Sequence, residues 1–459
     1  MPRLALVALG AALLIGFLTL NSETWGFDAT ATNTDFRGVG HTTQQTKQHT
    51  SDPVLLTYTE ALARVLDNNL YLKTFSQELE ARLAEARQSG LYPNPEFSIE
   101  MENFAGSGDY SGTDSAETTV LFSQRFELGG KRQQRLAVGH LNKELAEREH
   151  ALAKANLIAE TTVRFVDVLA AQQSLELAKE QSSLAEKVLK TVNQRIAAGK
   201  TASIERLRFE ALQAEAALRV SQAKLKLTTS RQALAALWNQ VSVEFAGVEG
   251  TFERLPELPV WAELSAKVPF SPAFAAQQTE VSKADETLAL EESRRIPDLT
   301  LSIGGKNFED TNDNAFVAGL AISLPLFDRN QGAIDAARAR QAKARSMAQA
   351  TRLQLQTQLE DVWQRLTVAH TEASLLRDQL LPAVQQSFEA ISYGYQVGKF
   401  GYLEVLDAEQ TLFETKSRYI DSLTRYHKTF AEMEQLLGQS VSPPDHRTTS
   451  TVSTTRGQS

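Results

Sequence analysis

The chain states one plan twice, about 200 residues apart, so any fold it adopts must accommodate two copies of one module. Gly199-Lys200, followed by Glu205 and Leu207, returns as Gly398-Lys399, followed by Glu404 and Leu406, at a constant offset of 199 residues. Upstream, Ser123 and Phe126 precede Ser323 and Leu326 by 200 residues, and Pro95 precedes Pro297 by 202. A solenoid repeats every 20–50 residues or so. The longer period marks two fused modules, each holding a helix, two strands and a long helical hairpin in that order.

Alternation identifies the strands. Phe97, Ile99 and Met101 oppose Ser98, Glu100 and Glu102, and Val120, Phe122 and Phe126 oppose Thr119, Ser123 and Arg125. In the second copy Leu299, Leu301 and Ile303 oppose Thr300, Ser302 and Lys306, and Phe316 to Leu324 alternates with Val317 to Ser323. Period two over such lengths predicts strands near 95–104, 117–127, 298–308 and 315–326. A polar loop, Glu309 to Asn314, joins the last two.

The intervening stretches are rich in Ala, Leu, Gln, Glu, Arg and Lys, the palette of long helices. Helices are expected over Tyr58 to Ser89 and Trp261 to Glu292. From Lys131 to Ala198 there is no proline and a single glycine. Leu145, Leu152, Ala159 and Val166 recur every seven residues, as do Val163, Ala170, Leu177 and Leu184, which reads as a coiled-coil seam. Gly199 turns this helix into a return over Ile204 to Trp238. Gly332 to Gly394, with a kink expected at Pro382, and Leu403 to Leu437 repeat the hairpin. The hairpins therefore span about 131–238 and 332–437, inside repeats bounded at 56–240 and 258–439.

Arg3 and the apolar run Leu4 to Leu20 read as a signal peptide ending near Ala29-Thr30-Ala31, so 1–31 is assigned to export. Residues 32–55 and 440–459 read as polar, aperiodic linker and tail. No later segment is apolar over the roughly 18 residues a helical membrane span needs. The net charge of −9 speaks against a nucleic-acid partner. Absence of cysteine removes disulfides, thiolate metal sites and any lipid-acceptor Cys. The seven histidines form no chelating cluster with carboxylates, and no nucleophile–base spacing suggests an enzyme. No cofactor and no metal site is expected.

Four strands with one apolar and one polar face, beside helices too long to cover a sheet, carry the pattern of a transmembrane β-barrel. Four strands cannot close a barrel, and lipid tolerates no open edge. The chain must then oligomerise; three copies supply twelve strands. Glu100, Glu102 and Lys306 would face a watery lumen, and the helices would prolong the cylinder. A wide polar tube is a conduit.

At this point the chain resembles the TolC-like outer-membrane efflux family over about Thr57 to Gln439. The stretch Tyr395-Gln-Val-Gly-Lys-Phe-Gly-Tyr-Leu-Glu-Val-Leu-Asp-Ala-Glu409 is similar to that family's second hairpin turn. Phe126-Glu-Leu-Gly-Gly-Lys-Arg132 and Leu324-Pro-Leu-Phe-Asp-Arg-Asn-Gln-Gly332 resemble the branch serving cobalt–zinc–cadmium pumps, as strand–helix junctions rather than metal sites. The resemblance implies a mainly α fold with transmembrane β. A homotrimeric 12-stranded barrel would be continued by a helical periplasmic tunnel and embedded in outer-membrane lipid. It implies docking onto a periplasmic adaptor and an inner-membrane resistance–nodulation–division (RND) pump through the hairpin tips, here Gly199, Lys200, Leu207, Gly398, Lys399 and Leu406. It also implies a gate of acidic side chains at Glu404 and Asp407, with Tyr395 beside them. Glu404 stands where the family usually has Asp, and Phe400 where it often has a basic residue. Arg208, 199 residues before Asp407, is a candidate inter-repeat partner. A coiled-coil adaptor is the rival class, but adaptors carry one inserted hairpin rather than a duplicated module. Drug efflux and protein secretion are the rival cargoes.

Overall fold

The computed structural model describes residues 55–199 and 202–441. The signal peptide, nearly all of the first linker, Lys200 and most of the tail lie outside the described residues. The chain begins with β1 (Leu55–Thr57), α1 (Tyr58–Asn68) and α2 (Leu70–Ser89), then β2 (Glu96–Glu102) and β3 (Glu117–Phe126). The first hairpin is α3 (Lys131–Ala197) and α4 (Ile204–Ala236). After β4 (Gly247–Glu249) come α5 (Trp261–Ser265), α6 (Pro272–Ser293), β5 (Leu299–Phe308) and β6 (Asp313–Ile322). The second hairpin is α7 (Gln331–Leu375), a π turn at Leu376–Leu380, α8 (Leu381–Gln396) and α9 (Tyr402–Leu437). At 67 residues α3 runs about 100 Å at 1.5 Å per residue.

Several expectations need correction. The helix expected over Tyr58 to Ser89 is two helices. Asn69 adopts extended backbone, caps α2 through its side chain to the Leu72 amide (2.9 Å), and donates to the Leu237 carbonyl (2.7 Å). That last bond ties the break to a residue far along the chain. Trp261 to Glu292 is likewise divided: Pro269 and Pro272 cannot supply interior helix amides, and Ser271 caps α6 instead. At Pro382 the structure inserts the π turn, with the Leu381 amide reaching back to Leu376. The proline ring would crowd the Asp378 carbonyl, and the widened turn relieves it. Strand β6 ends at Ile322, so Leu324 lies beyond it, and Asp313 and Asn314 belong to the strand rather than the loop.

Leu55, assigned to the linker, pairs in parallel with Gly247 in the β1–β4 ladder. Gln172 of α3 completes that ladder, accepting from the Val248 amide (2.7 Å) and donating to its carbonyl (3.1 Å). At the other end Ser440 and Val441, expected to be tail, both donate to Glu434 (2.9 and 3.0 Å). The seam of α3 is shifted from the expected heptads. Ala159 and Val166 are buried as expected, but Leu145, Leu152, Val163, Ala170, Leu177 and Leu184 are only half-buried, and Gly139, Ala146, Ala153, Leu157, Phe165 and Val168 are among the buried positions instead. Small residues sit where backbones approach: a Cβ on Gly139 would lie 3.2 Å from Ala86 Cα.

Packing concentrates midway along the long helices. One cluster gathers Leu56, Val65, Phe165, Val168, Leu234, Trp238, Phe245 and Leu423 around β1 and β4. A second joins Leu264, Leu359, Val362, Leu366, Tyr426 and Met433 across α5, α7 and α9. Together they form an equatorial belt.

The four long strands make one antiparallel sheet in the order β2-β3-β5-β6. Its register aligns Glu100 with Thr119 and Thr119 with Lys306, and aligns Phe97 with Phe122 and Phe122 with Ile303. The two faces are therefore chemically distinct. Phe97, Ile99, Met101, Val120, Phe122, Phe126, Leu301, Ile303, Phe316, Leu320 and Ile322 share one face and are all exposed. Among the described residues no helix is long and apolar enough to cross a membrane. A Cβ at Gly304 would strike the Val120 carbonyl, which explains the glycine at this close inter-strand approach.

Candidate functional site

Two regions carry functional chemistry: the polar sheet face and the hairpin tips. On the sheet, Glu100, Glu102 and Lys306 lie on the face opposite the apolar one, as the alternation requires. Lys306 Nζ is 3.2 Å from Glu102 and also pairs with Glu117, the first residue of β3. Sequence reading missed Glu117 because the alternation becomes legible only from Thr119.

The strand–helix junctions explain the two short motifs. Gly129 (φ +72°) and Gly130 (φ +74°) take left-handed backbone to turn the chain into α3. Arg135 forks onto Glu127 (2.6 and 3.0 Å) and donates to the Ser89 carbonyl (2.8 Å), while Lys131 meets Asp298 (2.5 Å). In the second repeat Asn330 (φ +60°) occupies the position of Gly130 and donates to Glu291. Both motifs brace a corner. Among the described residues no group of three or more His, Asp or Glu is placed to hold a metal.

At the tips, Gly199 (φ +70°) and Gly398 (φ +78°) close the two turns in the same left-handed conformation, which only glycine adopts freely. The Lys399 amide donates to the Gly394 carbonyl (2.8 Å), and the Phe400 ring lies where a Cβ on Gly394 would stand. Phe400 is thus a packing residue of the turn. Glu404 and Asp407 occupy the first turns of α9, both exposed and without an ion partner among the described residues. The Glu404 carboxylate folds back over Gly401. Leu207 is exposed, and Leu406 helps wall a cavity of about 250 Å³ between the hairpins. The candidate Arg208–Asp407 pair does not form: Arg208 binds Glu205, one helical turn away (3.4 Å).

Tyr395 is half-buried beneath the Arg195 guanidinium, whose carbon is 4.7 Å from the ring centre. Tyr402 packs on Phe209 at 4.2 Å between centroids and reaches Tyr395 at 6.4 Å. These contacts join all four helices of the two tips. Arg195, Phe209 and Tyr402 escape the sequence pattern, because the 199-residue offset says which positions correspond and not which ones touch. Glu409, two turns beyond Tyr402 on the same face, lines the cavity, and burial raises its carboxyl above the usual range. Four polar side-chain atoms here are buried without a partner: Arg195 Nε, Glu205 Oε2, Ser392 Oγ and Tyr402 Oη.

The outer membrane efflux protein family matches residues 61–240 and 270–439, nearly the whole of both repeats, and the chain belongs to that family. It is an efflux channel of the Gram-negative outer membrane, a transport protein and not an enzyme. One relative is the cobalt-zinc-cadmium resistance protein CzcC of Cupriavidus metallidurans, 33% identical over 84% of this chain and 90% of its own length. Among solved structures, CusC superposes with a TM-score of 0.72 at 17% identity, covering 83% of this chain and 92% of that one. The outer membrane protein VceC of Vibrio cholerae gives 0.70 at 19% identity, covering 83% and 96%.

Proposed function

We propose that this chain is the exit duct of a tripartite efflux assembly, working as a homotrimer and carrying heavy-metal cations across the outer membrane. The observation that carries the trimer is the four-stranded sheet. Its apolar face is bare, and its outer strands β2 and β6 have no partner on one side. Those two edges run in opposite directions, so β6 of one copy continues antiparallel into β2 of the next. Three copies close twelve strands with the apolar face toward lipid and Glu100, Glu102 and Lys306 toward water. The metal cargo rests on the likeness to CzcC, whose name states cobalt, zinc and cadmium resistance.

The tips would do two jobs. Gly199, Lys200, Leu207, Gly398, Lys399 and Leu406 would meet a periplasmic adaptor that couples the duct to an inner-membrane RND pump. Glu404, Asp407 and Tyr395 would narrow the entrance, with carboxylates from three copies gathered round the axis. Exposed, unpaired acids on the first turns after a glycine corner are suited to that role. Detergent extraction from outer membranes followed by mass measurement and planar-bilayer recording tests the reading. A trimer that rarely opens, and opens readily as Glu404→Gln/Asp407→Asn, supports it. A soluble monomer without conductance overturns it. Cargo is tested by deleting the gene: loss of tolerance to cobalt, zinc or cadmium is expected, and unchanged tolerance to all three removes the metal assignment.

A further inference from the structure

The two ends of the sheet differ sharply in charge. The strands and their distal loops, residues 96–124 and 299–322, hold nine carboxylates and a single base, Lys306. The junctions at the helical end, residues 125–135, 294–298 and 327–332, hold seven bases against three carboxylates. Three of those bases are committed to carboxylates: Lys131 to Asp298, Arg135 to Glu127, Arg294 to Glu291. Arg132 is not. Its Nε donates to the Gly90 carbonyl (2.6 Å), its guanidinium carbon lies 4.1 Å from the Tyr92 ring centre, and no carboxylate pairs with it among the described residues. The terminal N–H groups of the guanidinium are left for something else.

The surroundings state what that is. Gln124 projects on the apolar face of the sheet, and its amide reaches the Pro93 carbonyl (3.1 Å), so the segment carrying Leu91 and Tyr92 lies against that face. Tyr92 is 72% exposed, and Leu91 and Leu128 are exposed too. The second junction presents a matching surface, with Phe327 at 92% exposure, Leu326 and Arg329, which also has no carboxylate partner among the described residues. Apolar rings continuous with a lipid-facing sheet, edged by a stacked and unpaired guanidinium, match the boundary between acyl chains and phosphate. A planar guanidinium fork is suited to two phosphate oxygens.

We propose that Arg132 and Tyr92 form a headgroup site for an anionic phospholipid of the periplasmic leaflet, holding the barrel at its depth in the membrane. Tyr92 and Leu91 lie at the acyl boundary, and Arg132 takes the phosphodiester. Arg329 with Phe327 repeats the arrangement at the second junction, so a trimer carries six contacts around its waist. The inference rests on the barrel reading above, and its test separates the two.

The purified trimer is reconstituted in vesicles of phosphatidylglycerol and phosphatidylcholine, re-extracted, and weighed intact by native mass spectrometry. Parent trimers should retain phosphatidylglycerol at least threefold over phosphatidylcholine, and Arg132→Gln should remove that preference while leaving trimer mass and conductance unchanged. Arg338→Gln, a control that breaks pairs with Glu292 and Asp335, should leave it intact. Equal retention of both lipids, or unchanged preference in Arg132→Gln, overturns the site and leaves the channel standing; failure to form a trimer at all sinks the barrel reading instead. Should Arg132→Gln not assemble, Tyr92→Trp carries the test. Its fluorescence should be quenched more strongly by lipids brominated near the headgroup than by lipids brominated at the chain end, and the reverse order overturns the proposal.

Discussion

The equatorial belt and the hairpin tips are built from the same helices, yet they satisfy polar groups to different degrees. At the belt, Glu372 accepts from Arg418 (2.9 Å) and Arg425 (2.5 Å), and Arg365 forks onto Glu432 (2.9 and 2.8 Å) while holding Asp361 (2.8 Å). Trp363 donates to the Pro259 carbonyl (3.2 Å), and His427 bonds the Phe252 carbonyl (2.8 Å). At the tips, four buried polar atoms find nothing, against one at the belt, the Arg231 Nε beside Phe245. An unmet buried donor or acceptor costs about 1–3 kcal/mol relative to a hydrated one. Rearranging the tips can therefore recover more than rearranging the belt. A duct that must open at one end and stay whole in the middle needs that contrast.

The contrast breaks first where it is largest. Leu366→Ala or Leu359→Ala, both buried in the belt, should destabilise by about 2–5 kcal/mol, read as a lowered thermal unfolding midpoint. Leu207→Ala or Leu403→Ala at the tips, both exposed, should change stability by no more than about 0.5 kcal/mol. Equal losses would erase the distinction. Next, Tyr402→Phe removes a buried hydroxyl with no partner. It should hold stability level or raise it by up to about 1 kcal/mol and lower the frequency of channel opening; a loss of stability would mean that hydroxyl has a partner in the assembly.

Titration sharpens the same comparison. Burial lowers the His427 pKa below its ordinary value of 6.5, against the opposing pull of its bond to Phe252. Between the lowered value and 6.5 the unfolded chain binds the extra proton, so acidification through that window costs stability. Burial raises the Glu409 pKa above 4.5, so the folded chain holds the extra proton, and stability falls as pH rises from 4.5 through the raised value. Belt and tip thus carry slopes of opposite sign. His427→Gln should flatten the first in a pH series of unfolding midpoints, and Glu409→Gln the second. A small effect is also expected from Arg208→Gln, whose exposed bridge to Glu205 contributes at most about 1 kcal/mol.

How much of this was legible in the sequence follows from how local each feature is. The four strands, their polar faces and both glycine corners depend on residue type at short spacing, and each is found, with the fourth strand displaced by a few residues to Asp313–Ile322. The break at Asn69 was not legible, because its side chain answers to Leu237, a contact made only on folding. The β1–β4 pair is three residues long and shows no alternation to read. Small residues such as Gly139 and Ala153 do not stand out beside leucines, so the heptads meet the seam at Ala159 and Val166 but miss these positions; close helix approach, not hydrophobicity, selects them. The Arg195, Phe209, Tyr395 and Tyr402 contacts link the two repeats, and repetition alone does not say which copies touch.

The unpaired edges of β2 and β6 have a genetic consequence. In the proposed trimer each subunit is completed only by its neighbours, so a subunit with a spoiled edge, such as a proline in the middle of β6, damages the rings it joins. With equal expression of sound and spoiled chains and random mixing, only about one ring in eight would hold three sound copies. Such an allele should act as a dominant inhibitor in cells carrying both copies, whereas an allele that prevents synthesis should be recessive.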